Sequence, residues 1–120
     1  MAVPELTLGQ KQRLFTQLLP DLLDHIHFLG YECTLGDAYR DPRAHGAQGI
    51  QFENSYGRAR SAHKWRLAID LNLFMNGEYL TKTEDHKPIG EWWESRHELC
   101  RWGGRFDDGN HYSLEHQGTS

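Results

Sequence analysis

Between Arg66 and Phe74, the aliphatic residues Leu67, Ile69, Leu71 and Leu73 alternate with Ala68, Asp70 and Asn72. No other stretch constrains the fold as tightly, because a period of two belongs to a strand with one face in a core. The aliphatic set takes the core face, and Asp70 is carried to the opposite one, towards a cleft. Asn76-Gly77 follows at once and tolerates the positive φ angles of a type I′ turn, so a second strand is expected around Glu78 to Thr81.

The flanking segments supply helices and further strands. Thr7 precedes Leu8, Phe15, Leu18, Leu19, Leu22, Leu23, Ile26 and Leu29 at helical spacing, with Gly30 placed just past the helix end. Pro20 cannot donate a backbone hydrogen bond, so two helical pieces are expected, kinked or restarted there. Tyr31, Cys33 and Leu35 alternate as a short half-buried strand. Arg40 to Arg60 is polar, with Pro42, Gly46, Gly49 and Gly57, and reads as a long loop of the kind that more often carries function than not. Ile89 to Leu99 reads as an amphipathic helix stopping before Gly103-Gly104, with Trp92, Trp93 and Trp102 as packing residues. His111 to Glu115 forms a last strand, Tyr112 and Leu114 on one face and His111, Ser113 and Glu115 on the other. The expected class is α+β, with helices packed on one side of a short, mostly antiparallel sheet and a cleft on its other face.

A chain of 120 residues suits one domain, 1–120, with a single core and no repeat or linker. The net charge of -4 argues against a basic surface, so nucleic acid is not expected as a partner. Cys33 and Cys100 form no C-x-x-C pair; a disulfide between them is allowed but not indicated. Met1 to Gln10 lacks a basic segment followed by an apolar run, and nothing approaches the roughly 18 apolar residues of a membrane span. Cytoplasmic synthesis without a signal peptide or membrane anchor is therefore expected.

Candidate chemistry lies in three places. Ser61-Ala62-His63, Ala68-Ile69-Asp70 and Asp108-Gly109-Asn110-His111 together supply two imidazoles, one carboxylate and a spare carboxylate. Imidazole nitrogen and carboxylate oxygen suit Zn2+, and three protein ligands leave a fourth position where water becomes acidic enough to supply hydroxide near neutral pH. That combination points to hydrolysis. The seven-residue gap from His63 to Asp70 is too long for one helical turn, but a loop entering a strand can bring both to one side of a sheet, with His111 on a neighbouring strand. Asp108, three positions before His111, is placed to act as general base.

The ordered set S-x-H, A-x-D and D-x-x-H resembles the zinc D,D-/L,D-peptidases, the family of VanX- and VanY-type dipeptidases and carboxypeptidases and of phage L-alanyl-D-glutamate endopeptidases. Gly36-Asp37-Ala38-Tyr39-Arg40 is similar to the strand-ending GxR segment of that family, and Trp102-Gly103-Gly104 to the loop before its last ligand. One position departs: the family usually has Gly three residues after the first His, where this chain has Arg66. The resemblance implies zinc held by His63, Asp70 and His111, with Asp108 as the acid-base group. It implies that Arg40 holds the substrate carbonyl or the developing oxyanion, and that Ser61 contacts substrate or fixes the His63 loop. It also implies the stem peptide of bacterial peptidoglycan as substrate, cut at L-alanyl-D-glutamate or at a bond involving D-alanine. Asp at 108, where the dipeptidase and carboxypeptidase branches usually have Glu, resembles some phage-type members. The expectation is a monomeric phage or prophage endolysin that reaches the cell wall after release. The alternatives are a D-alanyl-D-alanine carboxypeptidase or dipeptidase, and a non-catalytic zinc-stabilised wall-binding or phage structural module.

Competing readings of single residues stand beside these. His116 is the rival to His111, although Ser113 stands where the pattern has a carboxylate, and Asp107 competes with Asp108. Asp70 also reads as an edge-strand acid, and Arg40, followed by Asp41-Pro42, as an ordinary turn with a salt bridge. His25, His27, His45, His86 and His97 sit in helical or polar-loop contexts and are read as surface or loop residues.

Overall fold

The computed structural model describes residues 5–53 and 55–120. The leader-peptide reading of Met1 to Gln10 lies partly outside them. Helix α1 (Leu8–Phe28) opens on a reciprocal cap, in which Thr7 Oγ1 accepts from the Gln10 backbone and Gln10 Oε1 accepts from that of Thr7. It runs unbroken through Pro20, against the expectation of two pieces. Thr16, whose carbonyl loses a partner at Pro20, and Pro20 itself are both exposed, so the carbonyl is open to solvent and is not orphaned in the core. Phe15, Leu22 and Ile26 remain buried on the other face. Burying three such side chains, at about 1.5–3 kcal/mol each, outweighs the roughly 3 kcal/mol cost of an interior proline.

The remaining elements are β1 (Glu32–Leu35), α2 (Pro42–His45), β2 (Ala68–Met75), β3 (Glu78–Leu80), α3 (Lys87–Arg96), β4 (Cys100–Trp102) and β5 (His111–Leu114). All pairings are antiparallel, in the order β1-β2-β5-β4, with β3 also paired to β2. β2 is thus the central strand. Its alternation holds, since Leu67, Ile69, Leu71 and Leu73 are all buried, and Asn76 (φ 53°) and Gly77 (φ 79°) make the expected reversal into β3. Helices α1 and α3 pack together, with Phe15 edge-on to Trp93 at 6.1 Å, and α3 lies against β4. The fold is α+β, as expected.

Two strand readings need correction. The helix expected over Ile89 to Leu99 begins at Lys87 and ends at Arg96, and Cys100 to Trp102 forms β4 instead. Three residues are too few to show a period, and pairing with β5 decides their conformation. In β1, Leu35 is 68% exposed, so that strand contributes to the core chiefly through Cys33. Both cysteines are free. Among the described residues, no helix is long and apolar enough to cross a membrane.

Candidate metal centre

The sheet register brings Asp70 of β2 directly opposite His111 of β5. His63 arrives from a 3-10 turn, Ala62–Trp65, immediately before β2. Ser61 caps this turn by accepting from the His63 backbone N–H at 3.2 Å. The turn closes at Arg66 in the left-handed region (φ 58°, ψ 35°), which explains why glycine suits this position. Arg66 keeps the turn nevertheless, and its guanidinium lies 4.0 Å from the Tyr39 ring centroid.

The three side chains converge. His63 Nε2 lies 3.1 Å from Asp70 Oδ1, and His111 Nδ1 lies 3.2 Å from His63 Nε2 and 3.4 Å from Asp70 Oδ1. One ligand atom from each falls within 4.8 Å of the others, an arrangement that could hold a metal ion. His63 Nδ1 donates to the Ala38 carbonyl at 2.8 Å, which turns the Nε2 lone pair towards the centre. Both imidazoles are buried, and His111 Nε2 has no hydrogen-bond partner among the described residues. Burial alone would raise the Asp70 carboxyl, but the facing His111 and His63 rings outweigh it and hold the group well below the usual carboxylate range. Two inward-facing imidazole nitrogens and one ionised carboxylate fit a zinc ion with an open position.

Asp108 Oδ2 lies 4.0 Å from His111 Nδ1, on a side chain that is half exposed. Its loop is tightly tied: the Asp108 N–H donates to the Gly103 carbonyl at 2.9 Å, and the His111 N–H to the Asp108 carbonyl at 3.1 Å. Gly103 is required there, because a Cβ would stand 2.2 Å from the Asp108 carbonyl oxygen. Asp107 instead ends the preceding 3-10 turn in the left-handed region. Asp108, and not Asp107, lines a cleft of about 80 Å³ together with His63, His111, Ser61, Arg40 and Arg58. Asp108 also borders a groove of about 210 Å³ that extends past Asn110 to Lys82, Tyr79 and Asn72.

Arg40 enters the cleft under several restraints. Its Nη1 donates to Ser61 Oγ at 3.1 Å, its Nε to Asp37 Oδ2 at 3.4 Å, and its backbone N–H to the His63 carbonyl at 3.2 Å. Ser61 therefore links Arg40 to the His63 turn. Nothing in the Gly36 to Arg40 pattern distinguishes Asp37 as a partner of Arg40. Lys64 gave no signal at all. It is buried, and its ammonium donates to the carbonyls of His45, Ala47, Ile50 and Ala59 at 2.6 to 3.4 Å, gathering the polar loop beside the site.

Other histidines lie elsewhere. His116 sits edge-on to Trp65 at 4.8 Å and bridges to Thr119, apart from the three converging side chains. His86 corrects the surface-or-loop reading: it is buried, with Nδ1 2.8 Å from the Tyr112 hydroxyl, and burial lowers its pKa to about 4.

An antiparallel sheet that delivers two imidazoles and a carboxylate to one cleft, beside Asp108, has an arrangement that a metal-dependent hydrolase could use. Residues 55–114, half of the chain, match the family model described as D-alanyl-D-alanine carboxypeptidase, and the chain belongs to this M15 peptidase family. None of the curated proteins matches it.

Proposed function

We propose that the chain is a zinc-dependent peptidoglycan peptidase that cleaves the stem peptide, acting as an L-alanyl-D-glutamate endopeptidase in phage or prophage lysis of a host cell. The observation that carries this reading is the approach of His63 Nε2, Asp70 Oδ1 and His111 Nδ1 to within 4.8 Å of one another, with Asp108 alongside. Zinc held by these three residues supplies Lewis-acid polarisation of the scissile carbonyl and of water. The chain's own groups do the rest. The Ala38 carbonyl keeps the His63 proton on Nδ1, which leaves Nε2 free to bind. Asp108 Oδ2 takes a proton from the attacking water and passes it to the leaving amine nitrogen. Arg40 donors steer the carbonyl and stabilise the oxyanion as it forms, and Ser61 holds Arg40 and the His63 turn in one frame. The groove beyond Asp108 offers the peptide a path away from the reacting bond.

The endopeptidase reading draws on Asp rather than Glu at position 108, which resembles phage-type members. The description of the matching family favours a second reading, removal of a terminal D-alanine. Mass spectrometry of fragments released from purified peptidoglycan separates the two. New termini at alanine and glutamate support the endopeptidase, release of alanine supports the carboxypeptidase, and no fragments from zinc-loaded protein would overturn both.

A further inference from the structure

We propose that Tyr56 is a positioning residue of the peptidase site, whose ring sets the pose in which Arg40 meets the scissile carbonyl. The inference rests on the peptidase reading above. The Arg40 guanidinium carbon lies 5.3 Å from the Tyr56 ring centroid, within the roughly 6 Å over which a cation is drawn to an aromatic face. The Arg40 side chain is only 11% exposed, so little water competes for that contact.

The polar bonds of Arg40 hold it loosely. Nε to Asp37 Oδ2 spans 3.4 Å and Nη1 to Ser61 Oγ 3.1 Å, against roughly 2.7–2.9 Å for a strong charge-assisted bond. Bonds of that length tolerate rocking of the guanidinium plane, which a ring packed against it restrains. The Asp37 carboxylate faces the Tyr56 phenol as well and pushes its pKa up, so the hydroxyl stays protonated. Both donors on Arg40 Nη2 make no hydrogen bond among the described residues and are left for substrate.

The polar loop is built to put Tyr56 there. Tyr56 is 60% exposed, so burial does not explain where its ring sits. His45 packs edge-on to that ring with centroids 4.8 Å apart, and Ser55 Oγ, 2.7 Å from His45 Nδ1, donates to the Tyr56 carbonyl at 3.0 Å. The His45 carbonyl is held in turn by buried Lys64 at 3.1 Å. Gly57 follows with φ +83°, and a Cβ there would stand 2.4 Å from Arg40 Nη1, so only glycine lets the backbone pass. Two consecutive loop residues thus close on one guanidinium.

Tyr56→Leu removes the ring and Tyr56→Phe only the hydroxyl. Each is made in the parent and in Arg40→Gln, and kcat and KM are measured for zinc-loaded protein on soluble peptidoglycan fragments. Tyr56→Leu should lower kcat about tenfold with KM within about twofold, less than the roughly 10²–10³-fold expected when Arg40→Gln removes the oxyanion donor itself. Tyr56→Phe should keep most of the rate. In the Arg40→Gln background, Tyr56→Leu should change kcat by less than about twofold, because a residue acting through Arg40 has nothing left to position. A readout independent of turnover is the Arg40 Nε–H magnetic resonance signal, assigned by its absence in Arg40→Gln. It should shift in Tyr56→Leu as the ring current is lost, and stay in place in Tyr56→Phe. Equal losses in both backgrounds, a rise in KM alone, or an Nε–H signal indifferent to the ring would overturn the role of Tyr56 and leave the peptidase reading standing. A parent that binds zinc yet releases no fragment would overturn both.

Discussion

Gly103→Ala puts the packing beneath the metal ligands under direct strain. The added Cβ would stand 2.2 Å from the Asp108 carbonyl oxygen and 2.7 Å from His111 Cβ, where real Cβ contacts do not fall below 3.0 Å. The loop must recede by about 0.8 Å or more, and the atom that moves is backbone, not the free end of a side chain. Overpacking of this kind costs roughly 1–3 kcal/mol. The Asp108 to Gly103 and His111 to Asp108 backbone bonds, at 2.9 and 3.1 Å, are stretched as well, at about 1 kcal/mol each. A total of about 3–5 kcal/mol should lower the melting temperature by 10 °C or more on the order-of-magnitude scale for a domain of this size. The same displacement misaligns His111, so zinc affinity measured by chelator competition should fall about 10–100-fold. Gly9→Ala is the control, since its Cβ meets only Arg13 Nη1 at 3.5 Å in an open helical position, and it should gain roughly 0.5–1 kcal/mol. A Gly103→Ala protein with the parent's melting temperature and zinc affinity would refute the reasoning.

Other substitutions test separate links. Asp108→Ala should retain one zinc per chain and lose peptidoglycan hydrolysis by about 10²-fold or more; lysis of permeabilised cells at the parent's rate would remove Asp108 from the mechanism. Lys64→Met leaves four carbonyls without their cation, so a loss of about 3 kcal/mol is expected, capped because the loop can open to water. Limited proteolysis should then nick the chain between 45 and 60, and an uncut variant speaks against the tie. Arg66→Gly should be more stable than Arg66→Ala by about 1 kcal/mol in urea titrations, because both lose the stack on Tyr39 and only alanine keeps the left-handed strain. Burial keeps His86 neutral, with a folded pKa of about 4 against 6.5 when unfolded, so the unfolded chain takes up the proton first as pH falls. That contribution is intact above pH 6.5 and is lost between 6.5 and 4, to the extent of about 3 kcal/mol. His86→Gln should flatten the urea midpoint across that window, and an unchanged pH dependence would argue against a buried neutral imidazole.

Much of this architecture is legible where local chemistry dominates. The alternation from Leu67 to Leu73 places both the core and Asp70, and Asn76-Gly77 places the hairpin, because side-chain direction and turn geometry are set within a few residues. Local rules fail where partners are distant. Pro20 reads as a break until its exposure on a helix with a buried opposite face is known. Cys100 to Trp102 becomes a strand because β5 lies beside it. At the site, the ordered S-x-H, A-x-D, D-x-x-H pattern and its resemblance to the zinc peptidases point to the three side chains that converge and to Asp108. Lys64 and Arg58 stay hidden because an isolated cation in a polar stretch looks the same whether it gathers carbonyls, lines a cleft or faces water. The carboxylate that fixes Arg40, Asp37, is likewise visible only once Gly36 is seen packed against Asp70 at the end of β1.

X-ray absorption at the zinc edge, together with metal quantification, tests the central claim most directly. The expected result is one zinc per chain, with two imidazole nitrogens and carboxylate oxygen at about 2.0–2.2 Å, and loss of that signature in His63→Ala, Asp70→Ala and His111→Ala. Zinc that is retained by all three variants, or a coordination shell without imidazole, would contradict it.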